Sequence, residues 1–272
     1  AEGKTVGEAY LPAVTPGTVE HWLKNDHYPS TEAFLMAIAE AMREEYKGII
    51  DAGFLLQIDD PDLPDGWQMY PDMSVKDYRK YATLRVEALN HALKGIAFEK
   101  IRIQVCWGGY EGPHHLDIAL SDIIHTCLKV NAMGLSIEGS NPRHAHEWCV
   151  WQDVKLPDDR IIVPGVVSHC VHLVEHPELV AERIVRLAKL VGRERVIAGT
   201  DCGFAQGPMY RRTHESVMWA KFEALAEGAK IASKALWGKA PAKRSVKAKS
   251  TAAKAAGSRV ATRAKAGAKR RR

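Results

Sequence analysis

The feature that most constrains this chain is an alternation of short apolar runs with helical patterns, in which the runs end on chemically capable side chains. Strand-like stretches recur at Gly7 to Val14, Phe54 to Asp59, Ile101 to Cys106, Gly134 to Glu138, Ile161 to Val167 and Val196 to Thr200. Between them, Leu35, Ile38, Met42, Tyr46 and Ile49 recur every three or four residues after Ser30, the spacing of one buried helix face. Ser74 and Asp77 form a start resembling a capping box for a helix carrying Tyr78, Leu89 and Leu93 that stops at Gly95. Pro177 stands where a first helical residue would, Val180, Ile184, Leu187 and Val191 make the stripe, and Gly192 supplies the stop.

Alternation of this kind implies an α/β fold with a parallel sheet covered by helices, either a closed barrel or an open doubly wound sheet. No Gly-x-Gly-x-x-Gly or phosphate-binding loop follows a strand, which weighs against the nucleotide-binding open sheet. Asp59 with Asp60, Cys106, Glu138, and Asp201 with Cys202 end successive strands, and a (β/α)8 barrel gathers its C-terminal strand ends around one site. The barrel therefore predicts that these residues converge.

With 272 residues, 46% of them hydrophobic, the chain can bury a full-sized core. Charge is distributed unevenly. Residues 239–272 hold thirteen Lys and Arg and no acid, so subtracting thirteen from the net +5 leaves −8 for residues 1–238. That divides the chain into an expected partial (β/α)8 barrel over 1–238 and a basic, low-complexity tail over 239–272. The tail has almost no large apolar residue with which to offset its ordering entropy, and disorder is expected there. A role in nucleic-acid binding would run through this tail alone, by phosphate neutralisation; a nonspecific solubilising extension is the other reading. Five cysteines without a secretory signal argue against a disulfide framework and for a reducing, cytoplasmic setting. No apolar run is long enough to cross a bilayer.

Two cysteines and a glutamate at three different strand ends suit a site in which thiolates and a carboxylate hold Zn²⁺ and leave one position open. Cys106, Glu138 and Cys202 are the candidate ligands. The alternative is that each cysteine is a small buried hydrophobe. Asp59 is a candidate for catalysis and substrate contact, and Asp60 and Glu138 are further substrate-binding candidates, against a role for the acidic pair in capping the turn before Pro61 and Pro64. His114, His115, His144 and His146 cluster just beyond strand ends, where an imidazole can orient substrate or move a proton, or serve a structural hydrogen bond. We take His114 and His115 as catalytic candidates and His144 as a substrate-binding one. The run His169-Cys170-Val171-His172 invites a separate metal reading.

These motifs resemble the catalytic barrel of the zinc-dependent, cobalamin-independent methionine synthase family. Phe-Leu-Leu-Gln-Ile-Asp-Asp-Pro-Asp at 54–62 is similar to that family's Gln-Ile-Asp-Glu-Pro strand end. Cys106 in Ile-Arg-Ile-Gln-Val-Cys, Glu138 in Leu-Ser-Ile-Glu and Cys202 in Thr-Asp-Cys-Gly resemble its metal ligands in order and placement. Segments beginning at Cys106, Asn141 and Val174 resemble the single-barrel branch that includes epoxyalkane:coenzyme M transferase, and the matches span nearly all of residues 5–237.

The resemblance implies a zinc-activated small thiol that receives a methyl or alkyl group, with Asp59 holding the amino group of homocysteine. The donor would be a methyltetrahydrofolate or, in the coenzyme M branch, an epoxide. Two departures stand out. Gln104 occupies the place of the family's ligand histidine, and a Gln carbonyl is a poorer zinc donor than imidazole. Only six of the eight expected strands are present, the first two βα units being absent, so we expect either a fragment or a second chain supplying the missing strands, with homo-oligomers as a further consequence of open edges. A catalytically inactive barrel acting as a binding subunit is the rival reading.

Overall fold

The computed structural model describes residues 7–109, 113–205 and 213–238, and the basic tail with its expected disorder lies outside the described residues. Six parallel strands form one curled sheet in strict sequence order: β1 (Tyr10–Val14), β2 (Leu55–Asp60), β3 (Ile101–Val105), β4 (Gly134–Ile137), β5 (Ile161–Val167) and β6 (Gly199–Thr200). Between β1 and β2 lie α1 (Pro16–His21) and α2 (Thr31–Asp51); α3 (Asp62–Asp65) and α4 (Val75–Ala92) follow β2. Next come α5 (Leu120–Cys127) after β3, the short α6 (Val150–Asp153) after β4, α7 (Pro177–Val191) after β5 and α8 (Glu215–Trp237) after β6. This is a half-barrel, the arrangement of part of a (β/α)8 barrel.

The helices begin and end where local chemistry sets them. Ser30 Oγ accepts the Ala33 N–H at the start of α2, and Ser74 Oγ accepts that of Asp77 at the start of α4. Gly192 ends α7 at φ +102°, a conformation costly for any residue with a Cβ. The expected stripe of α7 is buried throughout, and in α2 Leu35, Tyr46 and Ile49 are buried.

Leu56 and Ile58 of β2 pack outward with Ile101 and Ile103 of β3 and Leu135 and Ile137 of β4 into the main core, under α2, α4 and α5. β1 pairs only with β2 among the described strands, and most of it is exposed. β6 is shorter than the apolar run Val196 to Thr200 suggested. Val196 makes only an isolated bridge to Ile162, and the β5–β6 register shifts between Gly165 and Val167. The close approach of Asp201 to Gly165 explains that irregularity: a Cβ built at Gly165 would sit 1.9 Å from Asp201 Oδ1.

Candidate active site

β2 and β3 run in register with Asp59 opposite Gln104, so the residues after β3, β4 and β6 gather at one end of the sheet. Because adjacent strand residues point to opposite faces, Asp59 and Asp60 part company. Asp59 faces the concave side with Gln57, whose amide donates to Asp59 Oδ1 at 2.8 Å; Arg102 Nε in turn donates to Gln57 Oε1 at 2.8 Å. Burial pushes the Asp59 carboxyl upward, offset by that amide hydrogen bond and the Arg102 charge. Asp60 turns outward instead. It accepts the Leu63 N–H at 3.0 Å, capping α3, and burial with the neighbouring charge of Asp62 lifts it to about 7. Asp60, expected at the substrate, lies on the helix side of the sheet.

Cys106 and Cys202, almost a hundred residues apart, meet thiol to thiol. Cys106 is raised well above the ordinary thiol range by its hydrogen bond to Cys202, by burial and by the negative charges of Cys202 and Glu138. Cys202 is lowered, first by accepting that hydrogen bond, and the Gly203 N–H assists. Glu138 and Asp59 both act on Cys202 electrostatically, so these four residues share one neighbourhood.

Glu138 is 2% exposed and its carboxylate is heavily engaged. Arg143 Nη2 lies 3.1 Å from Oε1, the Asn141 amide donates a short hydrogen bond to Oε2, and the Trp107 N–H approaches Oε1 at 3.4 Å. Arg143 Nη2 also donates to Gly108 O at 2.6 Å, tying the loop after β3 to the loop after β4. Asp201 does similar work one strand over. It accepts from Gly139 N, Ser140 N and Ser140 Oγ at 2.8, 2.9 and 2.6 Å, while burial and the Glu138 charge lift it to about 6. Gln104 Nε2 donates to Asp201 O at 3.2 Å.

The histidines fall out differently. His144 Nε2 is 3.1 Å from Asp117 Oδ2 and its Nδ1 is 2.8 Å from Glu147 Oε2, and the ring stacks on Trp107 at 4.0 Å. Burial opposes the charge of this imidazole, but the two carboxylates outweigh it and lift His144 to about 9. With both ring nitrogens engaged, His144 braces Trp107 and has no nitrogen left to offer a substrate. His114, also buried, lies 2.9 Å from the same Asp117. His115, expected to be catalytic, and His146 are exposed and stand outside this network. Glu147, Asp117, Arg143 and Asn141 went unremarked as individuals in the sequence; Asn141 and Arg143 lie three and five residues after Glu138, Glu147 three after His144 and Asp117 three after His114, and these spacings were the only signal.

Zinc can be tested against these groups. Two thiols and a carboxylate are donor types that zinc takes, and they converge. Their arrangement is less favourable: Glu138 is turned to Arg143 and Asn141, Gln104 replaces an imidazole, and no three or more His, Cys, Asp or Glu side chains among the described residues are grouped as a metal site. The donor types fit zinc, and Glu138 is held beside the two thiols by Arg143 and Asn141.

A curled parallel sheet with a thiol pair, a buried carboxylate and a concave aspartate at its C-terminal strand ends defines the class: a barrel-type domain with a thiol-rich cluster at the strand ends. Residues 14–221 match the family described as "Cobalamin-independent synthase, Catalytic domain", and the chain belongs to that family. It is 25% identical over 189 residues to the methionine synthase of Sulfurisphaera tokodaii, covering 69% of this chain and 48% of that protein. Similarity to the methionine synthase of Saccharolobus solfataricus is 24% over 219 residues, 79% of this chain and 56% of the relative. The Pyrococcus horikoshii methionine synthase is 33% identical over 101 residues, 37% of this chain and 26% of the relative. The chain spans about half the length of the first two relatives. Among solved structures, a B12-independent methionine synthase from Shewanella sp. W3-18-1 in complex with selenomethionine superposes with a TM-score of 0.65 at 21% identity. That match covers 83% of this chain and 62% of the other, and it supports the fold.

Proposed function

We propose that this chain transfers a methyl or other alkyl group to the sulfur of a small thiol, in the manner of methionine synthases acting on homocysteine. The observation that carries the reading is the meeting of Cys106 and Cys202 beside Glu138, with Asp59 on the concave face toward them. Zn²⁺ is the implied cofactor, held by Cys106, Cys202 and Glu138, and when bound it would stabilise a substrate thiolate at neutral pH.

The protein's own groups have separable tasks. Cys106 and Cys202 would hold the metal as thiolates. Arg143 and Asn141 hold the Glu138 carboxylate ready at one edge of the pair. Asp59, steadied by Gln57, offers a carboxylate on the concave face for a cationic part of the substrate, such as an amino group. Asp201 fixes the Cys202 turn against the loop after β4 through three hydrogen bonds.

The engaged state of Glu138 and the two sheet edges that are unpaired among the described strands favour a second reading, a barrel that serves as a binding subunit for a chain or a second copy supplying further strands. Among the described residues no helix is long and apolar enough to cross a membrane. Zinc content per chain, measured together with methylation of homocysteine and alkylation of coenzyme M, tests the proposal. Near-stoichiometric zinc that is lost in Cys106→Ser and Cys202→Ser, with transfer lost alongside, is the expected result. Well-folded protein that takes up no zinc and transfers no alkyl group overturns it in favour of the binding subunit.

A further inference from the structure

Side chains from three strands converge on Asp59. The β2–β3 register sets Gln57 opposite Arg102 and Asp59 opposite Gln104, so Gln57, Asp59 and Arg102 project to the concave face, while Leu56, Ile58, Ile101 and Ile103 pack into the outer core. On β1, Tyr10 pairs with Leu55 and lies on the same concave face. The Arg102 guanidinium sits over the Tyr10 ring, 3.4 Å from its centroid, so this one side chain spans from β3 across β2 to β1. Gly134 on β4 leaves it room, because a Cβ there would stand 2.8 Å from Arg102 Cβ.

The contacts have a direction. Arginine carries donors only, so the Gln57 atom that meets Arg102 Nε at 2.8 Å is the amide oxygen. The amide nitrogen is thereby turned to Asp59 and donates to Oδ1 at 2.8 Å. Without Arg102 the amide is free to turn over and set its oxygen against the carboxylate. A direct ion pair would have spent Asp59 on the arginine. With Gln57 between them, Asp59 Oδ2 makes no hydrogen bond among the described residues and stays open to the concave side. Burial lowers Arg102 itself, and Tyr10, Glu8 and Asp59 hold its charge in place.

We propose that Arg102 is a positioning residue which, acting through Gln57 and seated on Tyr10, aims the Asp59 carboxylate at the ammonium group of an amino-bearing thiol. The ammonium assignment rests on the alkyl transfer proposed above, whereas the aim of Asp59 rests on this geometry alone, so the two fail separately. Arg102 touches no reacting atom, and its effect is read at Asp59.

Carboxyl 13C NMR of the full-length chain, with Asp59→Asn to assign the signal, follows the titration of Asp59 and tests the relay. Burial raises Asp59, and the Gln57 hydrogen bond and the Arg102 charge oppose that rise. Arg102→Met and Gln57→Leu are each expected to raise the midpoint further, by about one pH unit, a tenfold change in proton affinity. Arg102→Lys, which keeps a charged donor, is expected to recover most of that shift. Gln57→Leu removes no charge and decides the point even where Arg102→Met does not fold. An Asp59 midpoint that is unchanged in the folded variants overturns the relay. Calorimetric binding of homocysteine and of 4-mercaptobutyrate, the same thiol without its amino group, reads the substrate side. Arg102→Met is expected to weaken homocysteine about tenfold and to leave 4-mercaptobutyrate unchanged. Equal weakening of both overturns the ammonium assignment. An unaltered chain that binds neither thiol overturns the alkyl-transfer reading together with that assignment, and the titration still decides the relay.

Discussion

Replacing Arg143 by Met tests the electrostatic construction of the site. The Glu138 side chain has no exposed surface and that of Arg143 is 15% exposed, so the substitution strands a carboxylate without its counter-charge. Breaking one side of a buried ion pair typically costs about 3–5 kcal/mol. Here the Asn141 amide and the Trp107 N–H remain as donors, which places the expected loss near the lower end, at about 3 kcal/mol. In a domain of this size that corresponds to a drop of roughly 6–12 °C in Tm. Arg143 also donates to Gly108 O, and that neutral contact accounts for about 1 kcal/mol of the total. The double variant Glu138→Gln, Arg143→Met removes the stranded charge and should recover about 2 kcal/mol, a coupling readable in a double-mutant cycle by urea denaturation. Additive losses in the cycle would refute the argument, since they would mean that Arg143 acts by packing alone.

Gly165→Ala should be severely destabilising, by about 3 kcal/mol or more, because the added methyl would lie 2.6 Å from Asp201 Cα and 2.7 Å from its backbone nitrogen, where no rotamer change gives relief. Thermal unfolding checks this, and a loss under 1 kcal/mol would mean that the β5–β6 contact is adjustable. His144, raised from 6.5 to about 9, favours the folded state fully below pH 6.5 and loses that contribution as pH rises through about 9. Stability should therefore fall between pH 6.5 and 9, and His144→Gln should flatten this slope; an unchanged slope in denaturant midpoints across that window would contradict the ion-paired role.

Much of this architecture was legible in the chain because its determinants are local. The helix starts at Ser30, Ser74 and Pro177 depend on side chains a few residues from the backbone groups they satisfy, and all three are found where the spacing placed them. The alternation of strands and helices, and the choice of Asp59, Cys106, Glu138 and Cys202 as strand-end residues, followed from period and position alone. Other properties had no local determinant. That Asp60 caps α3 while Asp59 faces inward depends on which side of β2 the helices cover. That His144 is spent on Glu147 and on Asp117, 27 residues away, depends on the fold of two loops. The opposite displacements of Cys106 and Cys202 arise only when strands β3 and β6 bring two sulfurs together in a buried place. Sequence by itself determined the elements and which side chains stand at the strand ends, because propensity, capping and periodicity act over a few residues. Tertiary structure alone decided their direction, charge state and partners, because desolvation and ion pairing act between residues that only folding makes neighbours.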